Sequence, residues 1–322
     1  MNLRLAPLLL NVLLLCVPLS VRAEYPDRPI KIVVPFAPGG NIDLTARAIS
    51  SGMSEALGQP VIIENKPGAG GMLGAELVAR SAADGYTLLL ASTGSLASAP
   101  ALYPKLGFDP VKDLATVRSL TRVPLVLVVN PKLPVKTLAE LIAFSKSKPG
   151  GLSMASTGNG TSNHLAGELF QRMSGTKFTH IPYRGSSQAL ADVLSGQVDL
   201  MFDNVPTSLP FVRSGKLLAL GVTSTVRSSS LAQLPTLAET GLPDYEASTT
   251  TGIVVPAATP KETVAKINAA IAKTLASPKV RETFFQLGAD VSDLPADAFA
   301  SVMRLEAAKW GKVIRDANVK ID

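Results

Sequence analysis

The chain of 322 residues has one cysteine, two histidines and one tryptophan, and each shortage closes off a class of chemistry. A single cysteine cannot form an intramolecular disulfide, and two histidines do not supply a histidine-rich metal site or proton relay. Charged residues make up 17%, well below the usual ~25%. With 46% hydrophobic residues, the composition excludes a disordered or acidic-tail protein. The 31 Lys+Arg against 25 Asp+Glu give a formal charge of +6. No cluster of five basic residues occurs, however, and aromatics are only 5%, so nucleic acid is not an expected partner. Two motifs are missing as well, the G-x-S-x-G nucleophile elbow and the G-x-x-x-x-G-K-[ST] phosphate loop. The run Gly68, Gly70, Gly71, Gly74 has Leu73 where a dinucleotide fingerprint needs its third glycine.

The first 23 residues read as a secretory signal peptide. Arg4 supplies the positive start, residues 8–19 an apolar stretch broken by Asn11, and Val21-Arg22-Ala23 a small-residue cleavage site. The stretch is shorter than the ~20 apolar residues of a membrane span. Cys16 follows Leu15, where a lipoprotein cysteine would follow a small residue. Cleavage after Ala23 leaves a mature chain without cysteine and with a charge of +4, once Arg4 and Arg22 are removed. A thiol-free exported protein suits the bacterial periplasm.

Beyond the leader, short β-branched runs alternate with helical patterns. Strands are expected at residues 30–36, 61–63, 86–91, 125–129, 152–156, 178–183, 198–202, 217–222 and 252–256. Helices are expected between them and over 261–276, 279–287 and 295–317. This rhythm predicts an α/β fold of parallel sheet with helices on both faces. The terminal helices have no strands of their own in the second half, and are expected to pack back onto the first domain. Crossovers are placed near residues 122–130 and 240–252. The division is therefore a discontinuous domain, residues 24–124 and 246–322, and a second domain, residues 125–245. Two α/β lobes joined by two crossover strands form a hinge-closing periplasmic binding protein of the Venus-flytrap, type II-like kind.

Several strands end in small or glycine-rich loops that begin a helix: Pro38-Gly39-Gly40, Gly68 to Gly71, Ser92 to Ser95, Ser156 to Ser162, and Arg184 to Ser187. In a parallel sheet such loops gather at the C-terminal edge of the strands, where ligands bind. Glycine lets backbone N–H groups approach a ligand, and a helix N-terminus attracts anions. One such loop is simply a tight turn; five on one edge point to an anion site. Asp43 reads as a cap for N–H groups at a helix start. Asp203 is either a hydrogen-bond acceptor for a ligand or a turn-forming residue. Arg184, the one cation in these loops, pairs with a distal carboxylate or braces the hinge. A hydrolytic triad of Ser92, His164 and Asp203 can be assembled on paper, but no spacing selects it. His164 reads rather as a cap or loop-packing residue, and His180 as structural.

Together the loops resemble a known family. Tyr25-Pro26-Asp27-Arg28-Pro29-Ile30, Val34 to Asp43 and Ala46-Arg47 are similar to the start of the Bug family. These are the TctC-like substrate-binding receptors of tripartite tricarboxylate transporters. The likeness continues through Glu64 to Gly71, Asp84-Gly85-Tyr86-Thr87, His180 to Gly185, Gly196-Gln197-Val198-Asp199, Met201-Phe202-Asp203 and Trp310. It covers essentially the whole mature chain. One departure is Ser187-Gln188-Ala189, where the family often has a proline before the alanine. The resemblance implies a monomeric periplasmic receptor, not an enzyme and without cofactor or metal, that closes on a small organic acid or amino acid. It would deliver this ligand to membrane permease subunits; a sensor kinase is the alternative partner. The carboxylate would sit against Phe36, Ala37, Pro38, Gly39 and Gly40 and against Gly70 and Gly71, with Ser92 and Thr93 nearby. The second lobe would add Ser156, Thr161, His164 and Asp203.

Overall fold

The computed structural model describes residues 24–103 and 105–320; the expected leader and its cleavage point after Ala23 lie outside the described residues. The chain begins with β1 (Ile30–Val34), α1 (Asn41–Leu57), β2 (Val61–Asn65), α2 (Met72–Ala79), β3 (Thr87–Ser92) and α3 (Ser98–Leu102). In β1 only Lys31 is exposed, as in a strand covered on both faces. It pairs in parallel with β2 on one side and β3 on the other. The second set comprises β4 (Leu114–Val129), α4 (Leu138–Ser147), β5 (Leu152–Ser156), α5 (Ser162–Ser174), β6 (Phe178–Pro182), α6 (Ser186–Ser195), β7 (Leu200–Asn204), α7 (Val205–Arg213) and β8 (Leu218–Val222). The chain closes with β9 (Ser248–Pro256), α8 (Lys261–Ala276), α9 (Pro278–Leu287), β10 (Asp290–Val291) and α10 (Ala296–Asp316). No helix among the described residues is long and apolar enough to cross a membrane.

The long strand β4 joins the two sheets. Its stretch from Leu114 to Pro124 runs antiparallel to β9, which in turn pairs antiparallel with β3. From Leu125 onward it pairs antiparallel with β7 and β8 instead, and β7 continues in parallel to β5 and then β6. The change of partner falls at Pro124, whose ring nitrogen has no proton to give a ladder. Thr223 ties the two connecting segments together there. Its hydroxyl accepts from the Leu125 N–H at 2.8 Å and donates to the Ala247 carbonyl at 2.6 Å.

Two expectations need correction. The sheets are mixed rather than parallel: β9 runs against β3 and β4 in the first, and β4 runs against β7 and β8 in the second. The strand expected at 125–129 is only the second half of β4. Its first half includes Thr116, Arg118, Ser119, Thr121 and Arg122, with register shifts at Thr116/Arg118 and Ser119/Thr121, and such irregularities erase the two-residue alternation that marks a strand.

Helix α10 also departs from expectation. Rather than packing on the first lobe alone, it lies across both. Trp310, Val313 and Ile314 are buried in one cluster with Leu165 and Phe170 of α5, and Asp316 pairs with Arg172 of the same helix. Trp310 is fully buried, and its indole N–H donates to Glu306 at 2.6 Å. Trp310→Ala should therefore cost about 3–5 kcal/mol of stability, read as a shift in the denaturant unfolding midpoint.

Candidate ligand-binding site

Four helices begin around one small cavity. The N-terminal flanking residues are Gly40 for α1, Thr161 for α5, Gly185 for α6 and Asn204 for α7, and none of these side chains caps its helix. The backbone N–H groups of a first helical turn have no partner within the helix and carry about half a positive charge together. The first turns contribute Gly40, Asn41 and Ile42 from α1, Thr161, Ser162 and Asn163 from α5, and Gly185 and Ser186 from α6. Asn204, Phe36, Ser92, Thr157 and Thr249 complete the wall. The cavity measures about 30 Å³, room for a water or two or for one carboxylate group. No charged side chain lines it.

The polar atoms of this wall are incompletely paired. Among the described residues, the buried side-chain atoms without a hydrogen-bond partner are Asn41 Nδ2 and Oδ1, Asn204 Oδ1 and Thr249 Oγ1. All four belong to this lining. Leaving a buried polar group unpaired costs about 1–3 kcal/mol, and a ligand with matching donors and acceptors can offset that cost here. Sequence reasoning did not single out these three residues. A signal existed for one of them: Ser248-Thr249-Thr250-Thr251 is a run of four hydroxyl residues, and it occupies a strand in which every residue is buried.

Of the residues expected to touch a ligand, Phe36, Gly40, Ser92 and Thr161 line the cavity. The others stand behind it or away from it. Thr93 accepts from the Thr250 N–H at 3.2 Å. Ser156, fully buried, accepts from the Gly158 N–H at 3.1 Å and lies 2.6 Å from His180 Nε2. His164 accepts from the Gly160 N–H at 3.1 Å, and its ring stacks on that of His180 at 3.8 Å. Asp203 accepts from Ser186 at 3.0 Å, Ser208 at 2.7 Å and Thr207 at 2.5 Å. Burial pushes its carboxyl upward, against those hydrogen bonds. Ser156, His164 and Asp203 thus hold the loop before α5 and the starts of α6 and α7, instead of facing the cavity. Ser92 pairs with Ser95 at 2.7 Å, so Ser92, His164 and Asp203 are not joined as a triad.

The first loop is built differently from the expected backbone cradle. The Gly39 N–H is already taken by Asp43 Oδ2 at 2.9 Å. Asp43 also accepts from Arg47 at 2.8 and 3.0 Å and from Asn65 at 3.0 Å. Burial works to raise the Asp43 carboxyl, and these donors outweigh it and hold it low. Arg184 is exposed, and its carbonyl accepts from the Ala37 N–H at 3.3 Å. Ala37, Pro38, Gly39, Gly70, Gly71 and Arg184 all lie outside the cavity wall.

Comparison with known proteins accords with this geometry. Residues 45–319 match the model of the tripartite tricarboxylate transporter family receptor. The chain belongs to this receptor family. It is 39% identical to Protein BugT of Bordetella pertussis, over 92% of this chain and 91% of BugT. Among solved structures, it resembles an R. palustris protein with adipate at a TM-score of 0.89 and 35% identity, covering 92% of this chain and 99% of the other. MatC from Rhodopseudomonas palustris with bound malate gives a TM-score of 0.86 and 36% identity, covering 90% of this chain and all of MatC. The fold is that of the two-lobed periplasmic binding proteins.

Within this receptor the loop glycines lie where the lobes meet. A Cβ on Gly94 would come within 2.7 Å of the Ser162 backbone nitrogen, one on Gly39 within 2.9 Å of Ser187 Oγ, and one on Gly185 within 3.0 Å of Ala37 Cβ. Gly70 backs onto the Asn159 carbonyl in the same way. Polar contacts cross at the same level: Ser187 donates to the Pro38 carbonyl at 3.3 Å, and Ser98 to the Gly160 carbonyl at 2.9 Å. These glycines allow backbone-to-backbone approach between lobes. Gly94 is the cleanest test, because its backbone conformation suits any residue. Gly94→Ala should keep the fold and hold the lobes apart, giving a larger radius of gyration by small-angle scattering than the unaltered receptor at ligand saturation.

The stacked histidines give the receptor a pH dependence. Burial, and then the charge of His164, depress His180 to about 3. An unfolded chain protonates this imidazole near pH 6.5, whereas the folded protein resists until about pH 3. The stability that comes from keeping this imidazole neutral is therefore fully present above pH 6.5 and is lost as pH drops from there towards 3. Melting temperature should decline across that window, and His180→Gln should shrink the decline.

Proposed function

We propose that this receptor is an exported periplasmic protein that captures a small carboxylate-bearing metabolite between two closing lobes and delivers it to a tripartite tricarboxylate-type membrane transporter. The observation that carries this reading is the meeting of four uncapped helix starts with four unpaired buried polar atoms on one uncharged cavity. Each helix terminus contributes about 0.3–1 kcal/mol towards an anion, rising to ~2 when partly buried. Hydrogen bonds to a charged group add about 1.5–3 kcal/mol each. Several together reach the roughly −8 kcal/mol of micromolar binding without a lysine or arginine. Relatives solved with adipate and malate support the choice of a carboxylate.

The moving units in this reading are residues 24–124 with 246–322, and residues 125–245, with α10 bridging them. The division is supported by the change of β4's partners at Pro124/Leu125 and by the Thr223 contacts that fasten both connections. Capture needs no metal or cofactor, and the protein works as a monomer that does no chemistry on its ligand.

The mature protein should melt several degrees higher with at least one member of a panel of di-, tri-, hydroxy and aromatic acids and amino acids. The same ligand should be retained in native mass spectrometry and recovered unchanged. Asn41→Ala should weaken it more than tenfold. A panel without any shift, or consumption of the stabilising compound, counts against the proposal.

A further inference from the structure

A second concave surface lies at the far end of the second lobe. Strand β8 pairs with β4 and with no other strand, so its outer side is an edge of the sheet. The chain that follows covers only the last residue of that edge. The Val222 N–H donates to the Pro235 carbonyl at 3.0 Å, and Thr236 forms a single bridge with Val222. Along Leu218–Gly221 no backbone partner occupies the outer side among the described residues. A groove of about 1060 Å³ opens there, with Leu217, Leu218 and Ala219 in its wall. Leu133 and Val135 line it from the hydrophobic cluster under one face of the sheet, and Val212, Leu231 and Leu234 from the cluster under the other. The groove thus opens onto the edge of β8 and not onto a face. It is remote from the interlobe cavity: Leu218 is level with Val129, and Val129 with Leu200 at the start of β7, whereas the cavity adjoins Asn204 at the other end of β7, about 13 Å along the strand.

The rim of this groove is basic. Lys132 and Lys136 line it, and Arg213 and Lys216 adjoin Val212, Gly215 and Leu217 of its wall. All four are exposed, and none of them forms an ion pair among the described residues. The acid that lines the wall, Glu140, turns to the start of α4, where its carboxylate accepts from the Lys136 N–H at 2.6 Å. We infer that this edge is a docking site for an extended acidic segment of another protein, which adds to β8 as a further strand. An open edge offers N–H and C=O groups to an extended chain, and the unpaired cations select an acidic one. The same cations disfavour a second copy of this chain, since two β8 edges side by side would bring like charges together. Lysines at an edge can also serve only to repel chance pairing; that role predicts no binding. The inference does not rest on the receptor reading, because the groove shares no residue with the cavity.

The test uses the capped peptide Glu-Glu-Val-Thr-Val-Thr-Glu-Glu, titrated by calorimetry into the mature protein at low ionic strength. It should bind with a Kd below about 1 mM and slow amide hydrogen exchange within residues 216–220. Lys132→Glu and Lys136→Glu together should weaken binding at least tenfold, with an unchanged melting temperature showing that the variant is folded. A peptide with lysine in place of glutamate should bind at least tenfold more weakly, and so should one N-methylated at alternate bonds, which cannot complete a ladder. No binding of the acidic peptide would overturn the inference and leave the lysines as guards of the edge. Equal affinity for the lysine or the N-methylated peptide would overturn it as well, since rim charge or the β8 ladder would then have no part. Binding to phosphatidylglycerol vesicles in preference to the peptide, lost in the same double variant, would assign the patch to a membrane surface instead. None of these results bears on carboxylate capture, which is measured at the other cavity.

Discussion

Buried hydrogen-bonding groups must find partners, and around the interlobe cavity four of them find none among the described residues. That requirement organises the rest of the site. Asn41 is unpaired because it is the first residue of α1, placed at the cavity by the loop that leaves β1. Asn204 ends β7 and flanks α7; Thr249 lies on β9, on the strand that returns from the second lobe. Three elements far apart in sequence thus bring unanswered polar atoms to one point. Behind them a further layer of polar residues is hydrogen-bonded within the protein.

That layer explains why so many polar residues beside the cavity do not face it. Asp203 gathers three hydroxyls, and in doing so fixes Ser186 at the start of α6 and Thr207 and Ser208 in the first turns of α7. The His164–His180 stack, with Ser156 and the Gly160 N–H, fixes the loop that leads to α5. These groups act on a ligand only by positioning backbone N–H groups. A site that recognises charge through dipoles needs such stiffness, since a dipole that can turn away stabilises little.

Much of the architecture was legible in sequence because it rests on local pattern. The strand–loop–helix units, the terminal helices and the two-lobed α/β fold follow from apolar periodicity and from glycine at the loops. The first half of β4 was not legible, since Arg118, Ser119 and Arg122 sit in a bulged ladder that breaks the alternation. Phe36, Gly40, Ser92 and Thr161, expected from loop position, line the cavity. Asn41, Asn204 and Thr249 were missed because being unpaired is a tertiary property, created when two lobes meet, and no local pattern encodes it. The Gly39 N–H serves Asp43, and a Cβ on Gly70, Gly94 or Gly185 would press on Asn159, Ser162 or Ala37.

This placement of glycines connects recognition to motion. In the proposed reading the lobes close so that the positive start of α1 on the first faces those of α5, α6 and α7 on the second. Bringing like ends together and burying unpaired amides both oppose closure of an empty cleft. An anion offsets both terms, because it lies between the opposed helix starts and accepts from the Asn41 NH₂ and the Thr249 hydroxyl. In the open form the same anion reaches one lobe only. A ligand shifts a conformational equilibrium by its difference in affinity for the two states, and here that difference is built into the division of the N–H groups between lobes. In that reading a hinge at Pro124 and Thr223 needs no coupling device of its own, for closure is favoured by the contacts that define the ligand.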